Sequence, residues 1–145
     1  MRRDSAFLWA LVTALFWGGG PVCAKPGLEG VDPLVGLIWR GLVAGFTVAS
    51  VGVATNSMKL VAGLPLRSKL FLAGEGLLGS VLGQLAYFRA IKPGTLARVT
   101  PVASSFPLVT VLLSVVFLAE KVTWQHPLGA ALVVAGVILL KQAGQ

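Results

Sequence analysis

Charge is what this sequence has least of. Of its 145 residues only 12% are charged, about half the ~25% of an average soluble domain. Just five of them are acids. So few polar groups cannot cover a soluble globular domain of this length, which excludes a soluble enzyme. Cysteine occurs once, at Cys23, so a disulfide scaffold is excluded within one chain. Histidine also occurs once: His126 stands alone beside Pro127, and no metal site is expected there. No phosphate-binding Gly-Lys-Ser loop, no HExxH and no GxSxG are present. Direct nucleotide-driven transport and the common metallopeptidase and serine hydrolase chemistries therefore lack their machinery. No catalytic residue and no cofactor is expected.

What the chain has in abundance is apolar sequence: 56% of residues are hydrophobic, with a mean hydropathy of +0.87. A disordered chain shows the opposite balance. The net charge of +7 would point to nucleic acid in a soluble protein. Here the basic residues lie between apolar runs, so lipid headgroups are the expected partners and nucleic acid is not.

Crossing ~30 Å of hydrocarbon takes ~20 mostly apolar residues. Five stretches qualify: Ala6 to Ala24, Pro33 to Met58 with Arg40 inside, Leu70 to Phe88 with Glu75 and Gln84, Val99 to Ala119 with Pro101 and Pro107, and Val122 to Leu140. Helices are expected over 6–24, 33–56, 70–88, 99–119 and 123–140, within one domain, residues 1–145. Thr123 is expected to cap the last of them, and Glu120 is read as structural. Backbone groups in lipid must be bonded within the segment, and the runs do not alternate as barrel strands do. The fold class is an all-α integral membrane protein with five transmembrane helices. Arg2 and Arg3 before an apolar run ending at Val22-Cys23-Ala24 imitate a cleavable signal peptide. The run is longer than a typical h-region of ~7–15 residues, so a retained helix is expected.

Lys and Arg in short loops favour the inside. With the amino terminus inside, Arg2, Arg3, Lys59, Arg67, Lys69 and Lys121 are internal, and Lys25, Arg89, Lys92, Arg98 and Lys141 external. That near-tie is compatible with insertion in both orientations. Many transporters pair two repeats of inverted topology around a midplane site. An odd helix count makes a tandem copy come out inverted. If this chain is half of such a machine, the other half is a second chain lying antiparallel.

Several motifs recur together. Leu85-Ala86-Tyr87-Phe88-Arg89-Ala90-Ile91-Lys92-Pro93-Gly94 is followed by Arg98-Val99-Thr100-Pro101 and Pro107. Next come Phe117-Leu118-Ala119-Glu120-Lys121-Val122-Thr123, Gly129 and Val134-Ala135-Gly136. Near the start stand Phe16-Trp17-Gly18, Lys25, Asp32-Pro33 and Arg40. In order and spacing this resembles the EamA domain of the drug/metabolite transporter superfamily, over nearly the whole chain. The resemblance implies five helices per domain and full-length members with two inverted domains, ten helices in all. It also implies movement of small metabolites, amino acids or drugs across the bacterial inner membrane. Here only one domain is present, so a homodimer or a second half-transporter is expected.

Substrate-pathway candidates follow from intramembrane polarity. Arg40 and Glu75 are the charges deep inside spans, where ionisable groups are costly and face a cavity or a partner; snorkelling to headgroups is the alternative. Gly76, Ser80, Gly83, Gln84 and Tyr87 recur at helical spacing and share one side, while Gln84, nine positions after Glu75, falls opposite it in an α-helix. A polar substrate or a neighbouring helix would satisfy that stripe. Pro101 and Pro107 should bend the fourth helix and open Thr100, Ser104 and Ser105 to a cavity, or simply kink it. Trp17 and Trp39 are placed to line a pathway, whereas Trp9 and Trp124 read as interface anchors. Small residues four apart, as in Gly41, Gly45 and Ala49, read as helix packing. The leading function is a transporter of small organic molecules working by alternating access as an antiparallel dimer. The alternatives are a proton-coupled multidrug exporter using Glu75 and a non-transporting subunit of a larger complex.

Overall fold

The computed structural model describes residues 3–119, 121 and 123–142, and of residues 3, 4 and 141 only the backbone. Arg2, Glu120, Val122 and the side chains of Arg3 and Lys141, which enter the reading above, lie outside what is described. Among the described residues every regular element is helical. The chain forms two units, Met1–Lys92 and Pro93–Gln145.

The first unit contains α1 (Arg3–Gly27), α2 (Pro33–Ala54), the short α3 (Met58–Ala62), α4 (Leu66–Glu75), a π-helical segment (Gly76–Gly83) and α5 (Gln84–Ile91). Between α1 and α2 the chain turns at Gly30, whose φ of 70° is a left-handed conformation that glycine adopts without a Cβ clash. Asp32 then caps α2: its Oδ1 accepts the Leu34 N–H at 2.8 Å. Pro33 follows in the first turn, where its missing N–H leaves no bond unmade. At the far end, Asn56 takes a φ of 57° and reverses the chain. The third span runs from Leu66 to Ile91, longer at both ends than the 70–88 expected. The connection read as a loop holds α3 and the first turn of α4, because Pro65 opens a helix and Arg67 and Lys69 favour continuing it.

The buried side chains of this unit gather at one end. Leu28, Leu37, Phe88 and Ile91 are its core. A Cβ on Gly36 would come within 2.8 Å of Leu28 Cδ2 and 3.8 Å of the Phe88 ring, so glycine lets these chains close on α2. Hydrocarbon gives no hydrophobic drive between helices, so close packing and hydrogen bonds must hold them. The start of α2 therefore meets the end of α5, and the two run in opposite directions.

The second unit contains α6 (Leu96–Ala103), α7 (Phe106–Leu118) and α8 (Gln125–Gln142). Both α6 and α7 pack against α8. The expected fourth helix is split rather than bent. Pro107 would clash with the carbonyl of Ala103 and offers it no N–H, so α6 stops there and Pro107 falls in the first turn of α7. At the start of α8, Thr123 N–H donates to His126 Nδ1 at 3.1 Å, and His126 N–H returns to the Thr123 carbonyl at 3.0 Å. That is the reciprocal half of a capping box, with histidine three residues on in place of glutamate.

Candidate functional site

The spans Ser5–Gly27, Pro33–Ala54, Leu66–Ile91 and Leu96–Leu118 are long and apolar enough to cross a membrane, and Gln125–Leu140 is a shorter apolar helix. Polar side chains inside them are the candidates for chemistry. Several hydroxyls are already engaged within their own helix: Thr13 donates to the Trp9 carbonyl at 2.9 Å, Thr47 to Val43 at 2.8 Å and Thr110 to Phe106 at 3.2 Å. In lipid this is how a lone hydroxyl is satisfied. The structure gives no such intrahelical bond to Ser80, Gln84, Glu75 or Arg40 among the described residues.

The third span concentrates these groups, and its winding changes their arrangement. Gly76–Gly83 is π-helical. A turn closed by i→i+5 bonds holds about one residue more than an α turn. The wider winding turns Gln84 from the position opposite Glu75 toward the side of Glu75. Glycine permits this. A Cβ on Gly83 would stand 3.0 Å from the Leu78 carbonyl oxygen, five residues back. On Gly79 it would stand 3.4 Å from Glu75 Oε1, so the carboxylate lies along the segment. Glu75 and Ser80 are exposed on the chain, Gln84 and Tyr87 half-buried. Tyr87 has a partner within the chain.

Arg40 and Glu75 stay apart within one chain. Taking the Gly36–Phe88 contact as level, Arg40 lies four residues along α2, ~6 Å, and Glu75 thirteen residues back, up to ~20 Å. Trp17 sits exposed on α1 and has a partner of its own. In the second unit, Thr100 is half-buried and Ser104 exposed. The Thr100 carbonyl accepts the Ser104 N–H at 2.8 Å. Ser105 Oγ donates to the Val102 carbonyl at 2.7 Å, so that hydroxyl closes the end of α6.

Sequence reasoning missed Lys25, which it counted as a loop charge. Its ammonium donates to the carbonyls of Ile91 at 2.6 Å and Lys92 at 3.0 Å. It thereby satisfies acceptors that the end of α5 would leave orphaned. The available signal was a lysine in the last turn of an apolar helix, a usual place for a carbonyl-binding cation.

Apolar helices of spanning length joined by short turns, with polar groups at helical interruptions, define a multi-pass membrane protein. The sequence model of the EamA-like transporter family matches residues 4–141, and the chain belongs to that family. It is 35% identical over 132 residues to an uncharacterized transporter in the cobO 3′ region of Sinorhizobium sp, covering 91% of this chain and 93% of that one. It is 28% identical over 137 residues to an uncharacterized protein of Methanocaldococcus jannaschii, covering 94% and 96%. An uncharacterized transporter of Archaeoglobus fulgidus is 25% identical over 138 residues, which are 95% of this chain but 49% of that relative. No solved structure matches the chain.

Proposed function

We propose that this protein carries small organic molecules, metabolites or drugs, across the bacterial inner membrane by alternating access, with two antiparallel copies forming the pathway. The observation that carries the reading is one of length: nearly all of this chain aligns with about half of the Archaeoglobus fulgidus transporter. A second copy would supply the other half. Each copy acts as one five-helix domain, with α8 as the fifth span, and neither a cofactor nor a covalent step is involved. Trp17, Arg40, Glu75, Ser80, Gln84, Tyr87, Thr100 and Ser104 are the proposed pathway residues. The polar line of the third span faces the substrate. Inversion of the second copy brings its Glu75 toward the depth of Arg40 in the first, so that two symmetry-related pairs bridge the dimer beside the cavity.

Uptake into proteoliposomes from a panel of metabolites and drugs, with and without a pH gradient, tests the activity. Absence of uptake across the panel favours the non-transporting subunit instead. Single engineered cysteines in the loops should label from both sides of the membrane; strictly one-sided labelling removes the antiparallel homodimer. For the bridge, Arg40→Glu and Glu75→Arg should each depress uptake. Combining them should recover about tenfold, equivalent to a coupling of roughly 1.4 kcal/mol. A double variant as inactive as either single one removes the bridge.

A further inference from the structure

The connection between α2 and α4 is built, not slack. After the left-handed Asn56, Thr55 Oγ1 and Ser57 Oγ share a hydrogen bond at 2.8 Å. Met58 folds back on α2, its Cγ and Sδ each 3.1 Å from where a Cβ on Gly52 would stand. Lys69 Nζ donates to the Ala62 carbonyl at 3.0 Å, tying the first turn of α4 to the end of α3. Arg67 lies over the Phe71 ring, 5.8 Å from its centroid, within cation–π range.

This tied hook joins two helices of spanning length, Pro33–Ala54 and Leu66–Ile91, so it lies where hydrocarbon gives way to headgroups. Its apolar side chains are turned outward: Leu60 is 72% exposed and Leu66 71%. Its charge is of one sign. No acid occurs between Asp32 and Glu75, while Lys59, Arg67 and Lys69 all fall within the hook. Lys69 is engaged by the Ala62 carbonyl, which leaves Lys59 and Arg67, both exposed, the latter lying over Phe71. The opposite end of the same unit is different: there Glu29 and Asp32 accompany Lys25, Arg89 and Lys92, and Lys25 is turned onto two carbonyls.

We propose that the hook is a docking site for an anionic phospholipid, with Lys59 and Arg67 holding its phosphate while Leu60 and Leu66 lie against its acyl chains. The guanidinium fork suits a phosphate and the ammonium adds a second point charge. A headgroup with net negative charge is selected because no acid in the hook offsets the two cations. Each cation near an anionic headgroup is worth roughly fivefold in binding.

Native mass spectrometry of the full chain in detergent, titrated with phosphatidylglycerol or with phosphatidylcholine of the same acyl chains, tests this. Wild type should hold phosphatidylglycerol at least tenfold more tightly than phosphatidylcholine. Lys59→Gln combined with Arg67→Gln should remove that preference, each single variant should remove part of it, and Arg89→Gln with Lys92→Gln should leave it intact. Equal retention of the two lipids by wild type overturns the proposal. So does an undiminished preference in the Lys59 and Arg67 variants, or its loss in the Arg89 and Lys92 variant.

Discussion

Two of the spanning stretches are interrupted, and by opposite chemistry. In Leu66–Ile91 three glycines fall within the widened segment and the helix stays whole. In Leu96–Leu118 proline removes donors and the helix divides after Ala103. Loss of a Cβ lets a helix wind wider, whereas Pro107 falls in the first turn of a new helix, where the span divides. The first interruption rotates side chains about a continuous axis and so changes which polar groups share a face. The second leaves Ser104 exposed at the break between two helix ends. A carrier that must recognise a polar molecule inside lipid has use for both, since irregular backbone is tolerated in a membrane where it borders protein or a cavity.

The sharpest way to break this contrast is at the prolines. Pro101 lies inside α6, where its missing N–H leaves the Ala97 carbonyl without a helical donor, whereas Pro107 lies in a first turn that tolerates it. Pro101→Ala should raise resistance to unfolding in a detergent titration by up to ~3 kcal/mol. Pro107→Ala should change it little yet close the break, lowering the labelling of a cysteine placed at position 104. A larger stabilisation from Pro107→Ala would move the strain from α6 to the junction.

Next in size is the tie on the end of the glycine-bearing span. Lys25→Met leaves two backbone carbonyls without their cation and should destabilise the first unit by about 1.5–3 kcal/mol, read in the same titration. An unchanged midpoint would mean that water serves those carbonyls equally well. The smallest effect is expected at Gly83. Gly83→Ala crowds the Leu78 carbonyl and should shift stability by only ~1 kcal/mol, since alanine also favours helix. It should nonetheless return the segment toward α winding, turn Gln84 away from Glu75 and depress uptake. Cysteine-accessibility patterns at positions 84 and 87 that match those of the unsubstituted chain would remove the rotation.

Much of the architecture was readable locally. The run of Asp32-Pro33 before an apolar stretch marks a capped helix start, and both residues act that way. The prolines of the fourth stretch announced an interruption, though a bend was expected and a break was found. The site was less legible. Periodicity arguments assume 3.6 residues per turn, so they put Gln84 opposite Glu75, and no local rule announces eight residues of wider winding. Lys25 was counted with the loops because its partners lie sixty-six and sixty-seven positions away, beyond the reach of any window of sequence.

The sequence by itself determined that this chain is helical and lies in a membrane. Apolar stretches of that length can satisfy their backbone in hydrocarbon only by bonding within themselves, and that requirement is local. Only the tertiary structure decided which polar groups share a face and which cations are already engaged. It also decided that the two ends of the first unit differ, one packed around Phe88 and Ile91 and the other leaving Lys59 and Arg67 exposed. Those outcomes depend on contacts between distant residues and on how glycine lets a helix wind, which composition and spacing do not encode.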